Sequence, residues 1–152
     1  MKTLARQRDR EEILSRLGKV RPDSAARWGR MSAHQMICHV ADAFRMATGE
    51  KPTRVNTSWF RRSILKWIVL YAPVPWPSGI STSPEIDQAV GGTKSADFAA
   101  DVAESTRLLH VISGPTASLE GRVHPLLGKM SHAAWLRWGY LHADHHLRQF
   151  GA

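Results

Sequence analysis

The stretch Ser131–Gln149, SHAAWLRWGYLHADHHLRQ, decides the fold. At about 100° per residue, Trp135, Trp138, His142, His146 and Gln149 fall within about 40° of one line along a helix. Leu136, Tyr140, Ala143 and Leu147 widen that arc, while Arg137, Asp144 and Arg148 mark a narrow face left to solvent. The stretch predicts a helix buried over most of its circumference. Two imidazoles and an amide then stand where a helical bundle ordinarily places leucine. Without partners, such groups cost on the order of 1–3 kcal/mol each to bury. A metal ion answers for both histidines at once, because i, i+4 imidazoles on one helical face converge on a single point. A hydrogen-bonded core pair or an exposed coincidence is the other reading of the same spacing.

A third ligand must come from another helix. Upstream, Trp28-Gly29-Arg30-Met31 leads into Ser32, with Gln35 three residues on, the spacing of a capping box. The helix that follows runs from about Ala33 to Ala47, carries Met36, Ile37, Val40, Ala43 and Phe44 on its apolar side, and closes at Gly49. His39 lies within that apolar side and completes a triad with His142 and His146. His34, in the first turn, reads as exposed or at the rim. Three histidines leave a coordination position open for water or substrate, which marks a catalytic rather than a closed structural site. Three neutral ligands also leave the ion's full double charge to lower the pKa of a bound water or thiol.

Three further residues are candidates for proton transfer or support. Asp42 follows His39 by three residues and either orients a histidine, acts as a base, or forms a salt bridge with Arg45 or Arg30. His145 lies about 60° off the buried line, so it is a supporting donor, an alternative ligand or a surface residue. His124 precedes the last helix, either at a pocket mouth or as a loop cap. His110 and His132 read as surface residues.

Elsewhere, Leu4–Leu17 predicts a first helix through Ile13, Leu14 and Leu17, with Gly18 as its stop. Ser58–Tyr71 predicts a short helix that is apolar around much of its circumference: a lid, a dimer surface or an interfacial anchor. Pro73, Pro75 and Pro77 then force an extended crossing, and Ser83-Pro84-Glu85 reads as a cap opening a helical turn. Ser95–Ile112 predicts another long helix, with Phe98, Val102, Leu109 and Ile112 on one stripe and Gly114-Pro115 ending it. No run alternates as a strand should. The expectation is a single all-α domain over residues 1–152, a four-helix bundle with a short extra helix in the long second connection.

Composition narrows the function classes. With Cys38 as its only cysteine, the chain cannot form an internal disulfide or a multi-thiolate site, so any ligands are nitrogen and oxygen. The charged Met1–Arg10 lacks the apolar run of a secretory signal and no stretch is long enough to span a bilayer, so a cytoplasmic protein without stable membrane insertion is expected. The net charge of +8 suits nucleic acid, an anionic membrane surface or an anionic small substrate. The basic residues are spread from Lys2 to Arg148. Their one cluster, Arg54, Arg61, Arg62 and Lys66, is too small for a nucleic-acid groove, and no nucleic-acid partner is expected.

Three runs carry a resemblance: Trp28–Asp42, His124-Pro125-Leu126-Leu127-Gly128, and the closing His142–Gly151, of the form HxxHHxRQFG. Together they resemble the DinB/YfiT-like superfamily, in a branch set apart by His145 and the His-Pro-x-x-Gly motif. The resemblance implies an up-down-down-up four-helix bundle and a zinc or nickel ion held by His39, His142 and His146. Gln149 matches the glutamine three residues after the final ligand. It further implies a homodimer and chemistry of the thiol S-transferase, hydrolase or isomerase kind. The sequence thus reads as a metal-dependent enzyme that activates a thiol or water against a small-molecule substrate, with Asp42, His124 or His145 moving the proton. An anionic low-molecular-weight thiol such as bacillithiol, mycothiol or glutathione suits the basic surplus. The alternative is a non-catalytic bundle that binds a metal or ligand and acts by association.

Overall fold

The computed structural model describes residues 1–55, 59–79 and 82–152, with the side chains of 59–63 outside that description. Among the described residues the chain is mostly helical: α1 (Gln7–Leu17), α2 (Ala33–Thr48), α3 (Trp59–Tyr71), α4 (Phe98–Ser113) and α5 (His132–Gln149). A 3-10 turn spans Pro84–Ile86, and β1 (Val123–His124) pairs antiparallel with β2 (Gly128–Lys129). The readings for Ser58 and for the side chains of Trp59, Phe60, Arg61 and Arg62 lie outside the described residues.

Local chemistry sets the helix ends. Ser32 Oγ accepts from the Gln35 amide at 3.2 Å while Gln35 Oε1 accepts from the Ser32 amide at 2.9 Å, so the predicted capping box forms. Gly49, at φ 85°, turns the chain out of α2 as a left-handed C-cap. Ser131 caps α5 by accepting from Ala134 N. Asp97 caps α4 in the same way, so that helix starts three residues after the predicted Ser95. α1 likewise begins later than Leu4, because the Asp9 carboxylate holds Thr3 N and Leu4 N bonds to Leu136 O, tying the leading segment to α5. Ser83 makes no side-chain cap, and the turn it precedes is only three residues long.

The core is continuous. Phe44 and Met36 of α2, Leu108 and Ile112 of α4, Ile13 of α1 and Trp135 of α5 are all buried in it. α2 lies along α4 as its main partner, while α1, α2 and α3 all pack on α5. The ribbon β1–β2 corrects the expectation of no strands. At two residues per strand it is too short to leave a period, and it is closed by a tight Pro125–Leu127 turn rather than by alternating burial. Among the described residues no helix is long and apolar enough to cross a membrane.

Candidate metal centre

α5 presents His142 and His146 one turn apart toward α2, where His39 faces them. The three rings form a triangle, with centroids 5.1 Å (His39–His142), 4.7 Å (His39–His146) and 4.7 Å (His142–His146) apart. One nitrogen from each lies within 4.8 Å of the other two, and all three residues are buried. Tetrahedral ligands with metal–nitrogen bonds of about 2.0–2.1 Å stand about 3.3 Å apart. The triad is geometrically able to close on one ion through small side-chain rotations.

Neighbouring groups fix which nitrogen His39 and His146 offer. His39 Nδ1 donates to the Ile86 carbonyl at 2.8 Å, so its Nε2 keeps a lone pair. The carbonyl comes from the 3-10 turn. His146 Nδ1 lies 3.0 Å from Gln149 Oε1, and Gln149 Nε2 donates to the Trp28 carbonyl at 2.7 Å. A carbonyl only accepts, so the amide has one orientation, which in turn makes His146 Nδ1 the donor and leaves Nε2 free. His142 stacks on Trp138 at 4.8 Å and 24°, and its Nδ1 is buried without a hydrogen-bond partner. Burial pushes all three histidines below their usual pKa, helped at His142 and His146 by the neighbouring imidazoles. They are neutral at neutral pH, the protonation state a metal requires.

Gly29 makes the Trp28 contact possible. Its φ is +82°, and a Cβ there would meet Gln149 Nε2 at 2.6 Å, so a side chain would displace the amide that orients His146.

The triad opens on a cavity of about 360 Å3. Its walls are largely apolar and aromatic, with Trp28, Trp76, Trp138, Val69, Ile86 and Leu127 among them. Trp76 is a residue that the sequence reading missed. Its ring stands 6.3 Å from His142 and 6.0 Å from His145, and its Nε1 donates to Val69 O, pinning the proline-rich crossing over the site. A tryptophan between Pro75 and Pro77 was the available signal, because rigid flanks hold a large ring cheaply.

The three candidate proton-transfer residues fare differently. His145 lines the cavity half-buried, its ring against Trp28 and His146, and its Nδ1 is buried without a partner. Burial, with Arg148 adding like charge, lowers its pKa. His124 also lines the cavity, but its Nδ1 accepts from Leu126 N at 3.1 Å and Leu127 N at 3.2 Å. That bond pair closes the β1–β2 turn and places the ring proton on Nε2. With burial holding its pKa down to about 3, His124 is a fixed donor. Asp42 is fully buried and does not line the cavity. It accepts from Lys51 Nζ at 2.8 Å, Thr93 N at 2.7 Å, Thr93 Oγ1 at 2.6 Å and Arg45 Nη1 at 3.1 Å. Burial alone would raise its pKa, but Lys51 and Thr93 outweigh it and hold the carboxyl below its usual range. Of the partners foreseen for it, Arg45 is present, and its work is to fasten α2 to the 88–93 segment.

A second group, between α2 and α4, also gathers ligand-type atoms: His34, Cys38 and Asp101, again within 4.8 Å. Here Asp101 Oδ2 accepts from His34 Nε2 at 2.6 Å, from Cys38 Sγ at 3.5 Å and from Ala96 N at 3.2 Å. Burial, with Asp101's charge adding, pushes the Cys38 thiol up and keeps it protonated.

No curated protein and no solved structure matches this chain. Residues 6–152, nearly its whole length, match the family model described as "Protein of unknown function (DUF1569)", and the chain belongs to that family.

Proposed function

We propose that this protein is a metal-dependent enzyme of the DinB/YfiT-like kind, an up-down-down-up four-helix bundle whose His39, His142 and His146 hold a zinc or nickel ion. The observation that carries the reading is the set of buried, neutral imidazoles, two with Nδ1 committed to fixed acceptors and Nε2 free, facing one cavity. A hydrogen-bonded core would pair these rings with an acceptor or donor in the cluster itself, as Asp101 Oδ2 does by accepting from His34 Nε2. The ion supplies a Lewis-acidic centre that lowers the pKa of a bound water or thiol.

The chain's own residues do the rest. Gln149 and the Ile86 carbonyl orient two ligands, and Trp28, Trp76 and Trp138 exclude bulk water and receive a small substrate against apolar walls. His145 takes the proton: it is a neutral base at the cavity wall, with Nδ1 unpaired. The His124 Nε2 proton is the donor available to a developing negative charge.

Elemental analysis of protein prepared in metal-replete medium tests the foundation, with one ion per chain expected. Turnover of model electrophiles with water or low-molecular-weight thiols tests the chemistry, and His145→Ala should lower it about 10²-fold or more while the metal stays bound. Protein without stoichiometric metal would overturn the site. A loaded protein inert to every thiol and to water would leave a metal-bearing ligand binder.

A further inference from the structure

One surface is left over once the site is described. α3 turns Leu65 and Val69 toward the cavity, and Leu70 is buried beneath it. Ile64, Trp67, Ile68 and Tyr71 recur at i, i+3, i+4 and i+7 on another side of the same helix, and are 54%, 62%, 46% and 43% exposed. Val74, just past the helix, is also exposed. Neither the core nor the cavity uses this stripe, and a contiguous apolar face of this kind marks an interaction surface.

Charge decides what covers it. From Arg54 to Pro84 the sequence carries four basic residues, Arg54, Arg61, Arg62 and Lys66, and no acidic one, so this stretch holds half of the net +8. Lys66 reaches across to the Lys129 carbonyl, which adds Lys129 to the same side of the molecule. A second copy docking symmetrically would set this positive surplus against itself. Nucleobases would find only Trp67 and Tyr71 to stack on, since Ile64, Ile68 and Val74 are aliphatic, and four basic residues are too few to line a phosphate-tracking groove. An anionic bilayer provides both complements, headgroup charge for the basic residues and an acyl boundary for the stripe, with Trp67 and Tyr71 suited to the interface between them.

We propose that the outer face of α3 docks the protein peripherally on anionic lipid surfaces, lying in the interface without crossing it. The test is co-sedimentation of the full chain with phosphatidylcholine vesicles, alone or with about one part in three phosphatidylserine. Partitioning about tenfold or more stronger on the anionic vesicles, and weakened by raised salt, is expected. Ile64→Ser/Trp67→Ser/Ile68→Ser should lose that partitioning by about tenfold with an unchanged thermal melt and unchanged metal content. Should that variant misfold, Arg61→Gln/Arg62→Gln serves instead, and should erase the preference for anionic lipid. Equal or absent partitioning on the two vesicle types overturns the proposal. So does a dimer, seen by light scattering, that the serine variant turns into monomer.

Discussion

Two clusters that share α2 each bring three ligand-type atoms within 4.8 Å of one another, yet they differ in what their atoms still lack. Around Asp101, one carboxylate oxygen collects the His34 ring, the Cys38 thiol and a backbone amide, so the cluster is satisfied from within and locks α2 to α4. Around His142, no carboxylate joins the three imidazoles, two Nδ1 protons are committed outward, and one nitrogen of each ring lies within 4.8 Å of the other two beside a cavity. Cys38 and His39 are sequence neighbours that serve different clusters because one residue's step turns a helix by about 100°. Proximity of ligand atoms therefore does not define a site. Unmet valence next to open space does.

Removing His142 is the sharpest way to break this contrast. His142→Ala should drop bound metal from about one ion per chain to below about a tenth by elemental analysis, and abolish any metal-dependent rise in thermal stability. That rise is worth about 2.7 kcal/mol when free metal is a hundredfold above Kd. An equal metal content in the variant would show that the ion sits elsewhere.

The orienting network comes next. Gln149→Leu should weaken metal affinity about 10- to 100-fold in a chelator competition while the fold persists. Gly29→Ala should move affinity the same way by forcing the Gln149 amide off the Trp28 carbonyl. An unchanged affinity in both would mean that His146 needs no help to face the ion.

The Asp101 cluster should respond in stability alone. Asp101→Asn should cost about 1–3 kcal/mol in urea unfolding and leave metal content untouched. If instead it strips the metal, the two clusters are one functional unit and the contrast fails.

Acid gives the finest test, through His124, which lines the triad's cavity, set against Asp101 of the other cluster. Folded His124 is held to about 3 against an ordinary 6.5, so below pH 6.5 the unfolded chain takes up a proton that the folded one refuses. Its contribution is complete above pH 6.5 and shrinks by about 1.4 kcal/mol per pH unit as the pH falls toward 3. Asp101, held below 3.8, and Glu104, held to about 2 from 4.5, titrate only at lower pH. Metal-free protein should therefore lose stability between pH 6.5 and 4.5 with a slope that His124→Phe reduces. A slope indifferent to that change would refute the assignment of His124 as a neutral, capped ring.

The helices were legible because their signals are local. Ser32 and Gln35 announce α2, Ser131 and the Trp135–Gln149 stripe announce α5, and each needs only a 3.6-residue period to be read. The triad was legible for a related reason: imidazoles in an apolar stripe break a pattern that the rest of the stripe makes plain. The β1–β2 ribbon was not, since two residues carry no period, and neither was the Asp97 start of α4.

By itself, then, the sequence determined the helical class, the capped starts of α2 and α5 and the identity of the three histidines that meet. Periodicity and capping act over a few residues, and burying a polar group is costly wherever the partners lie. Tertiary structure alone decided which nitrogen His39 and His146 offer, that Trp76 roofs the site, that Asp42 serves the fold, and that His34, Cys38 and Asp101 close on one another. Those outcomes depend on groups distant in the chain, such as the Ile86 carbonyl for His39 and the Trp28 carbonyl for Gln149, and hydrogen bonds select them only once packing has brought them within about 3 Å.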